Sequence, residues 1–358
     1  MNLDDSTSFN NLDTLNMLGE IDNLPEQLRS AWELGQILDI GHASNATYSR
    51  VVISGMGGSA IGADLLSAYI APSCHVPVFV SRDYVLPAWA QGPETLVITS
   101  SHSGNTEETL EAFEVACKAK CSILAICTGG ELEKRAKASD MPVWKFQHTG
   151  QPRAAVGFSF GLLLAVFARL GLIGKLDKLA TEVVTAVVAM KKQQETLQAD
   201  IPVVKNPAKR QAGQLVGRWV NVYGSGILAP VARRWKGQVN EIAKAGAGFE
   251  ALPEADHNAL AGLIYPADIQ SHTMTLFLRA PSDHPRNRLR SDLTRQSFMV
   301  EGLNTDVYDA QGKSPLAHIW TALHFGDYMA YYLAMIYGVD PTPVEALANF
   351  KASMKASK

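Results

Sequence analysis

The sequence predicts an α/β protein with two doubly wound parallel-sheet units and flanking helices. Three observations predict this fold class. Short apolar runs alternate with helical segments of about ten to fifteen residues, which is typical of βαβ units. The strand segments are continuously apolar, as strands are when both faces of a sheet are covered. The pattern also occurs twice along the 358 residues, a length that fits about two domains at roughly 100–200 residues each.

The first predicted unit follows an acidic segment, residues 1–50, which contains one or two helices. Its four predicted strands lie at residues 50–54, 76–80, 96–99 and 122–127. Helical patterns follow the first strand at 60–69 and the third strand from 107 to about 119. Turns rich in glycine or serine end the first, third and fourth strands, as expected for a sheet whose loops bind a ligand.

The pattern starts again after a helical middle region, residues 154–198, and a short linker. Three strands of the second unit are predicted at residues 219–223, 273–278 and 304–308. The glycine turn 224–226 matches the glycine turn 55–57, but the second half has no Ser/Thr-rich turn. We therefore expect two related units, of which only the first holds an anion in this way. The predicted boundaries are 1–150 for the first unit, 151–340 for the second, and 341–358 for a C-terminal helix.

Composition and charge exclude several classes of protein. There are 32 Lys and Arg against 35 Asp and Glu, a net charge of −3, so we expect no nucleic-acid partner, because such a partner requires a basic surface. The four cysteines form neither a CxxC pair nor a zinc pattern, and we expect no metal and no cofactor. The start is acidic and polar, unlike a signal peptide. The most apolar run, 154–168, is shorter than the ~20 residues of a membrane span, so we expect a buried core helix and a cytoplasmic protein without membrane association.

Two turns predict an anion site at the carboxyl edge of the first sheet. Ser101, Ser103 and Thr106 place three hydroxyls within six residues, between a strand and a helix. Backbone N–H groups and the positive end of the helix dipole point to the same place. The glycine turn contributes Gly57, Gly58 and Ser59. Hydroxyls suit a phosphate that must bind and leave.

Two alternatives remain for these turns. Ser103 or Thr106 can be a plain helix N-cap without any ligand. The sequence Gly55-x-Gly57-x-x-Ala60 can also be read as a dinucleotide fingerprint, with Asp83 after the next strand as the ribose ligand. The serine-rich turn is not part of that fingerprint, and Arg82 beside Asp83 argues against it.

Both turns closely resemble the sugar-isomerase (SIS) domain, a sugar-phosphate-binding α/β unit. Two such units in tandem make the phosphoglucose isomerase superfamily, and the finer resemblance is to the bifunctional phosphoglucose/phosphomannose isomerase family. That match rests on short motifs over about residues 20–358: Pro152-Arg153, Asn240-Glu241-x-Ala-Lys244, His257-Asn258, and Asp340-Pro followed by Lys351. It implies interconversion of glucose 6-phosphate and fructose 6-phosphate, with mannose 6-phosphate as a further substrate, in glycolysis and gluconeogenesis.

Isomerisation through a cis-enediolate needs one base that removes and returns a proton, and a fixed cation beside the charge. The resemblance gives Glu241 as the base, with Ile242 where the family carries asparagine, and Arg153 as the cation. Without the resemblance, Glu241 reads as a helix carboxylate paired with Lys244 or Lys236, and Arg153 as an ordinary loop charge.

The cyclic sugar must first open, which needs a second acid/base group, usually a histidine. The resemblance assigns this role to His257 and places it in the partner subunit's site, which implies a homodimer. Asp256 and Ala259 depart from the pattern expected around it. The alternative is a capping or surface histidine, whereas His318 and His324 lie on an apolar helix as expected core or surface residues.

The C-terminal segment contributes Lys351 through the same resemblance, with a solvated helix lysine as the alternative. Thr342 nearby is a candidate for acceptance of mannose-type substrates. Two other functions stay open: a non-catalytic sugar-phosphate sensor, because the anion turns serve binding as well as catalysis, and an isomerase of another sugar phosphate.

Overall fold

Two parallel sheets form the centre of the computed structural model, which describes residues 2–41, 43 and 47–357. The first sheet contains β1 (Arg50–Ser54), β2 (Val78–Ser81), β3 (Thr95–Ser101), β4 (Ser122–Cys127) and β5 (Val143–Lys145). The second contains β6 (Trp219–Ser225), β7 (Ala247–Leu252), β8 (Thr273–Arg279) and β9 (Asn304–Asp309). The orders are β2-β1-β3-β4-β5 and β7-β6-β8-β9, and every pairing is parallel. Both sheets share one strand order, so the predicted α/β class with two related units is confirmed.

Thirteen α-helices surround the sheets in the described part of the chain. They are α1 (Met17–Asp22), α2 (Leu24–Ile37), α3 (Gly57–Ile70), α4 (Glu107–Lys118), α5 (Gly130–Ala138), α6 (Val156–Arg169), α7 (Leu176–Gln194), α8 (Pro207–Leu215), α9 (Ala229–Glu241), α10 (Ala267–Ser271), α11 (Pro285–Val300), α12 (Pro315–Tyr337) and α13 (Glu345–Ala356).

Each of the seven predicted strands occurs, with ends that differ by at most two residues. The strands β5 and β7 were not predicted. The first has only three residues, and the second reads Ala-Gly-Phe-Glu-Ala-Leu with half-buried positions. Both lie at sheet edges, where a short or partly polar strand leaves little apolar signal in the sequence.

Two apolar helices are buried along most of their length in the core. The helix α6 is buried along almost its whole length, which confirms the core helix predicted at 154–168. The helix α12 is capped at its start by Ser314, whose side chain accepts a hydrogen bond from the backbone N–H of Ala317, and at its end by Gly338 in the left-handed conformation. His318 and His324 lie buried on it and are core residues, 4% and 0% exposed. Within the described residues, no helix is both long and apolar enough to cross a membrane.

A buried ion pair ties α9 to α12. Arg234 Nη2 donates to Asp327 Oδ2 at 2.7 Å and to the backbone carbonyl of Arg153 at 3.0 Å. Gln238 Nε2 donates to the other carboxylate oxygen of Asp327 at 2.9 Å. Removing one partner of such a pair costs about 3–5 kcal/mol because it leaves an uncompensated buried charge. The pair therefore fixes the backbone that carries Arg153 against the second unit.

Candidate active site

The two predicted anion turns meet at one point of the first sheet. One follows β1 and the other follows β3, and these strands are neighbours. In the order β2-β1-β3-β4-β5, the gap between β1 and β3 is the topological switch point, where open α/β sheets bind their ligands. This order also differs from the 3-2-1-4-5-6 order of dinucleotide-binding sheets. Arg82, beside the proposed ribose ligand Asp83, instead binds Asp64 on α3.

The serine-rich turn is held by its own hydroxyls. Ser101 Oγ lies 2.8 Å from Thr106 Oγ1 and accepts from the backbone N–H of Gly104 at 3.1 Å. Ser103 Oγ accepts from the backbone N–H of Asn105 at 3.2 Å. Thr106 occupies the N-cap position of α4, but its side chain makes no capping hydrogen bond. The plain helix-cap alternative therefore does not account for Thr106.

Gly104 is required by both space and backbone conformation. Its φ is +67°, and a Cβ at this position would lie 1.8 Å from the carbonyl oxygen of Gly129. The backbone of the serine-rich turn therefore packs directly on the turn after β4. A residue with a side chain would be unfavourable at this position for two reasons: the positive φ, and the steric clash of its Cβ with the carbonyl oxygen of Gly129.

The glycine turn packs against the segment that carries Arg153. Gly57 has a φ of +51°, and a Cβ on Gly58 would lie 2.3 Å from the carbonyl oxygen of Pro152. Ser59 follows as a buried residue at the start of α3. The absence of a side chain at Gly58 thus allows the arginine-bearing segment to reach the predicted phosphate site.

Arg153 is the most enclosed of the predicted site residues with an ionisable side chain, at 5% exposure. Its Nη2 donates to the backbone carbonyls of Pro341, at 2.9 Å, and Thr342. Its Nη1 lies 3.7 Å from Glu241 Oε2. Burial lowers the pKa of Arg153, and the carboxylate of Glu241 opposes that effect. Arg153 Nε and the buried hydroxyl of Thr342 have no hydrogen-bond partner within the described residues.

Glu241 is the last residue of α9, and its side chain remains one-third exposed. The neighbouring Val239 and Ile242 are fully buried. Ile242, which stands where the family carries asparagine, is therefore a core side chain. Among the described residues, the one cation within ion-pair distance of this carboxylate is Arg153. The predicted alternative of a lysine partner is wrong for Lys244, whose Nζ donates to the backbone carbonyl of Glu241 at 2.6 Å.

Lys244 is a site residue that the sequence reasoning missed. Its φ of +56° is unusual for a residue with a side chain. Its Nζ also lies 3.3 Å from the carbonyl oxygen of Pro341, which Arg153 shares. Burial of the ammonium group, followed by the charge of Arg153, lowers the pKa of Lys244 to about 8. The Asn-Glu-x-Ala-Lys motif contains this lysine, but no local pattern indicates its contact with Pro341.

His257 ends a short 3-10 turn that follows β7, and it is exposed. The unexpected Asp256 accepts hydrogen bonds from Arg290 at 2.9 Å and Thr294 at 2.7 Å, so it fastens this turn to α11. Glu241 precedes β7 and His257 follows it. Six residues of extended strand span about 20 Å. The structure therefore does not bring His257 next to Glu241 of the same chain.

Lys351 lies on α13, a helix without a single buried residue. It has no hydrogen-bond or ion-pair partner within the described part of the chain. The structure thus brings together Gly58, Arg153 and Glu241, with the serine-rich turn on the neighbouring strand. It leaves His257 and Lys351 outside this group.

A Gly104→Ala substitution tests the serine-rich turn. We expect the dissociation constant for inorganic phosphate to rise by at least about tenfold, because a steric cost above about 1.4 kcal/mol must be relieved by moving the turn. Gly92→Ala is the matched control, because Gly92 has a φ of +73° with no atom within 4 Å of its Cβ position. The control should cost only about 1 kcal/mol of unfolding free energy and leave phosphate affinity unchanged. Titration calorimetry and urea unfolding measure both; equal behaviour of the two variants would contradict the assignment.

Comparisons with known proteins agree with this geometry. Residues 204–354 match a family model described as the bacterial phospho-glucose isomerase C-terminal SIS domain. A bifunctional phosphoglucose/phosphomannose isomerase of Caldicellulosiruptor bescii is 39% identical over 345 residues, covering 96% of this chain and 100% of that protein. A protein of the same name from Aquifex aeolicus is 33% identical over 309 residues, covering 86% of this chain and 91% of its own.

A solved structure shows the same fold. The C-terminal domain of glucosamine-fructose-6-phosphate aminotransferase from Francisella tularensis superposes with a TM-score of 0.71 at 15% identity, covering 92% of this chain and 97% of that domain. The resemblance seen in the motifs is therefore confirmed across nearly the whole chain. The chain belongs to the bifunctional phosphoglucose/phosphomannose isomerase family.

Proposed function

We propose that this chain is an aldose–ketose isomerase that interconverts glucose 6-phosphate and fructose 6-phosphate and also accepts mannose 6-phosphate. The observation that carries the proposal is the buried Arg153 guanidinium, which lies 3.7 Å from the Glu241 carboxylate. The backbone of Pro152 and Arg153 packs against the glycine turn. A base, a fixed cation and a phosphate site are the three groups that this reaction needs. All three can be supplied by side chains and backbone amides.

The substrate phosphate binds first, in our proposal, at the switch point of the first sheet. Ser103 donates a hydroxyl hydrogen bond there, and so does whichever of Ser101 and Thr106 is not the donor in their mutual hydrogen bond. The backbone around Gly57 and Gly58 approaches the same place closely. Ser59 extends the same turn. The N-terminal ends of α3 and α4 add positive dipole character at this edge. A single phosphate can be held in this way without a basic surface.

Glu241 then removes the C2 proton of the open aldose and returns it to C1. Arg153 stabilises the enediolate oxygens because it is a preorganised charge whose own side chain is shielded from water, at 5% exposure. The unpartnered Arg153 Nε and Thr342 Oγ1 are buried polar atoms of the kind that a bound ligand can satisfy. Thr342 in this position supports its role with mannose-type substrates. Lys244 adds a second cation, because its Nζ lies beside the backbone carbonyl of Pro341 that also binds Arg153.

We propose further that His257 opens the sugar ring in the site of a partner subunit. The opposite placement of His257 and Glu241 along β7 supports a homodimer in which each site takes one residue from each chain. Lys351 stays a proposed site residue. It lies exposed on α13 and would have to approach Arg153 and Glu241 from there. We also propose a cytoplasmic enzyme that serves glycolysis and gluconeogenesis, where these hexose phosphates are exchanged.

Glu241→Gln tests the assigned base. Removal of a general base should lower kcat by about 10²–10⁴-fold, while KM should stay within about threefold because phosphate binding is untouched. A coupled assay with glucose 6-phosphate, fructose 6-phosphate and mannose 6-phosphate measures both constants. The matched control is Glu301→Gln, an exposed carboxylate of the second unit. Activity that survives in Glu241→Gln would show that another group is the base, and a wild-type protein that binds phosphate without turnover would indicate a sensor.

Subunit mixing tests the shared site. Glu241→Gln and His257→Asn should each be inactive alone, but a mixed dimer should contain one site with both residues intact. After exchange at equal concentrations, we expect about a quarter of wild-type activity, since half of the dimers are mixed and each has one working site. A mixture that stays inactive, despite exchange shown by native mass spectrometry, would contradict the contribution of His257 across the interface.

A further inference from the structure

A chain of three hydrogen-bonded ionisable side chains lies beside the serine-rich turn and takes no part in the proposed chemistry. His102 Nε2 lies 2.8 Å from His148 Nδ1, and His148 Nε2 lies 3.1 Å from Glu20 Oε2. The three residues come from widely separated parts of the chain. His102 stands between Ser101 and Ser103, His148 follows β5, and Glu20 lies on α1.

The hydrogen-bond directions follow from the acceptor at the end of the chain. A carboxylate only accepts, so His148 Nε2 donates to Glu20. A neutral His148 then accepts at Nδ1, and His102 Nε2 donates to it; a protonated His148 reverses that second bond without breaking it. Burial, followed by the proximity of His148, lowers the pKa of His102 to about 4. His102 is therefore neutral at neutral pH, and its ring stays tied to His148.

Close packing fixes the orientation of both rings. Phe146 and Phe158 stack with ring centroids 4.8 Å apart, and His102 meets Phe146 edge-on at 5.9 Å. His148 meets Phe158 at 5.9 Å. The backbone also passes close to the carboxylate, since a Cβ on Gly150 would lie 2.4 Å from Glu20 Oε1. The histidine rings and the carboxylate have little freedom to separate.

Residue 102 is held on its backbone side as well. Its carbonyl oxygen accepts from the backbone N–H of Thr128 at 3.0 Å and from the Thr128 hydroxyl at 2.7 Å. The residue between the two phosphate-binding serines is thus anchored to the turn after β4 through its backbone and to the segment after β5 through its ring. That segment reaches Arg153 five residues beyond His148.

We propose that Glu20, His148 and His102 are positioning residues that fix the serine-rich turn relative to the segment carrying Arg153, so that phosphate affinity depends on them. This inference rests on the proposed function for the identity of the substrate. The groups that react, Glu241 and Arg153, do not touch the chain of three. Its loss should therefore weaken the binding of the phosphate and leave the proton transfer intact.

A pair of His148 variants separates hydrogen bonding from packing. His148→Phe keeps an aromatic ring but removes both hydrogen bonds, whereas His148→Gln retains one donor and one acceptor. For His148→Phe, we expect KM for glucose 6-phosphate and the dissociation constant for inorganic phosphate to rise together by about tenfold, with kcat within about twofold. His148→Gln should restore both constants to within about threefold of wild type. His318→Gln, a hydrogen-bonded histidine of the second unit, is the control and should change neither constant.

Three outcomes would overturn the inference: unchanged affinities in His148→Phe, equal behaviour of the Phe and Gln variants, or a fall in kcat at constant KM. Glu20→Leu gives a second test if His148→Phe does not fold, because Glu20 is partly exposed on a short helix. The phosphate affinity of the Glu20→Leu variant should also fall. Inorganic phosphate is measured by calorimetry without turnover. A protein inactive on all hexose phosphates would thus contradict the proposed function while the binding comparison still tests the positioning residues.

Discussion

The burial of one positive charge organises the candidate site. Arg153 is almost fully enclosed, and its guanidinium is accommodated by two backbone carbonyls after α12 and by the carboxylate of Glu241. The backbone carbonyl of Arg153 is in turn held by Arg234, which is paired with Asp327. An isolated buried charge is too costly to persist. Three distant parts of the chain must therefore converge on this residue in the folded state.

This convergence brings together functional groups from both units, which neither unit contains alone. The first sheet supplies the hydroxyl and glycine turns, and Gly58 lets the segment of Arg153 lie directly on them. The second unit supplies Glu241 from the end of α9. In the function that we propose, the sugar of a phosphate held at the switch point extends toward Glu241 and Arg153, which face each other at 3.7 Å. The buried ion pair of Arg234 and Asp327 binds the backbone carbonyl of Arg153 and so fixes the position of Arg153 relative to the second unit.

The sequence was most informative where local rules apply. The strands next to the glycine and serine turns could be predicted, because continuous apolar runs and turn residues act over a few positions. The assignment of Glu241 and Arg153 to one site came only from family resemblance, since residues 88 positions apart leave no local signal. The bond of Lys244 to Pro341 was missed for the same reason. The unpredicted edge strand β7 mattered most, because its length separates His257 from Glu241 of the same chain.

The central claim is that one carboxylate, facing one buried guanidinium, carries the proton between C2 and C1. Proton NMR of glucose 6-phosphate incubated with the enzyme in D₂O tests it most directly. Because a carboxylate exchanges its proton with solvent, the account predicts deuterium at C2 of the recovered aldose and at C1 of fructose 6-phosphate. With Glu241→Gln in D₂O this incorporation should fall in step with turnover, whereas incorporation at the wild-type rate in that variant would contradict the account.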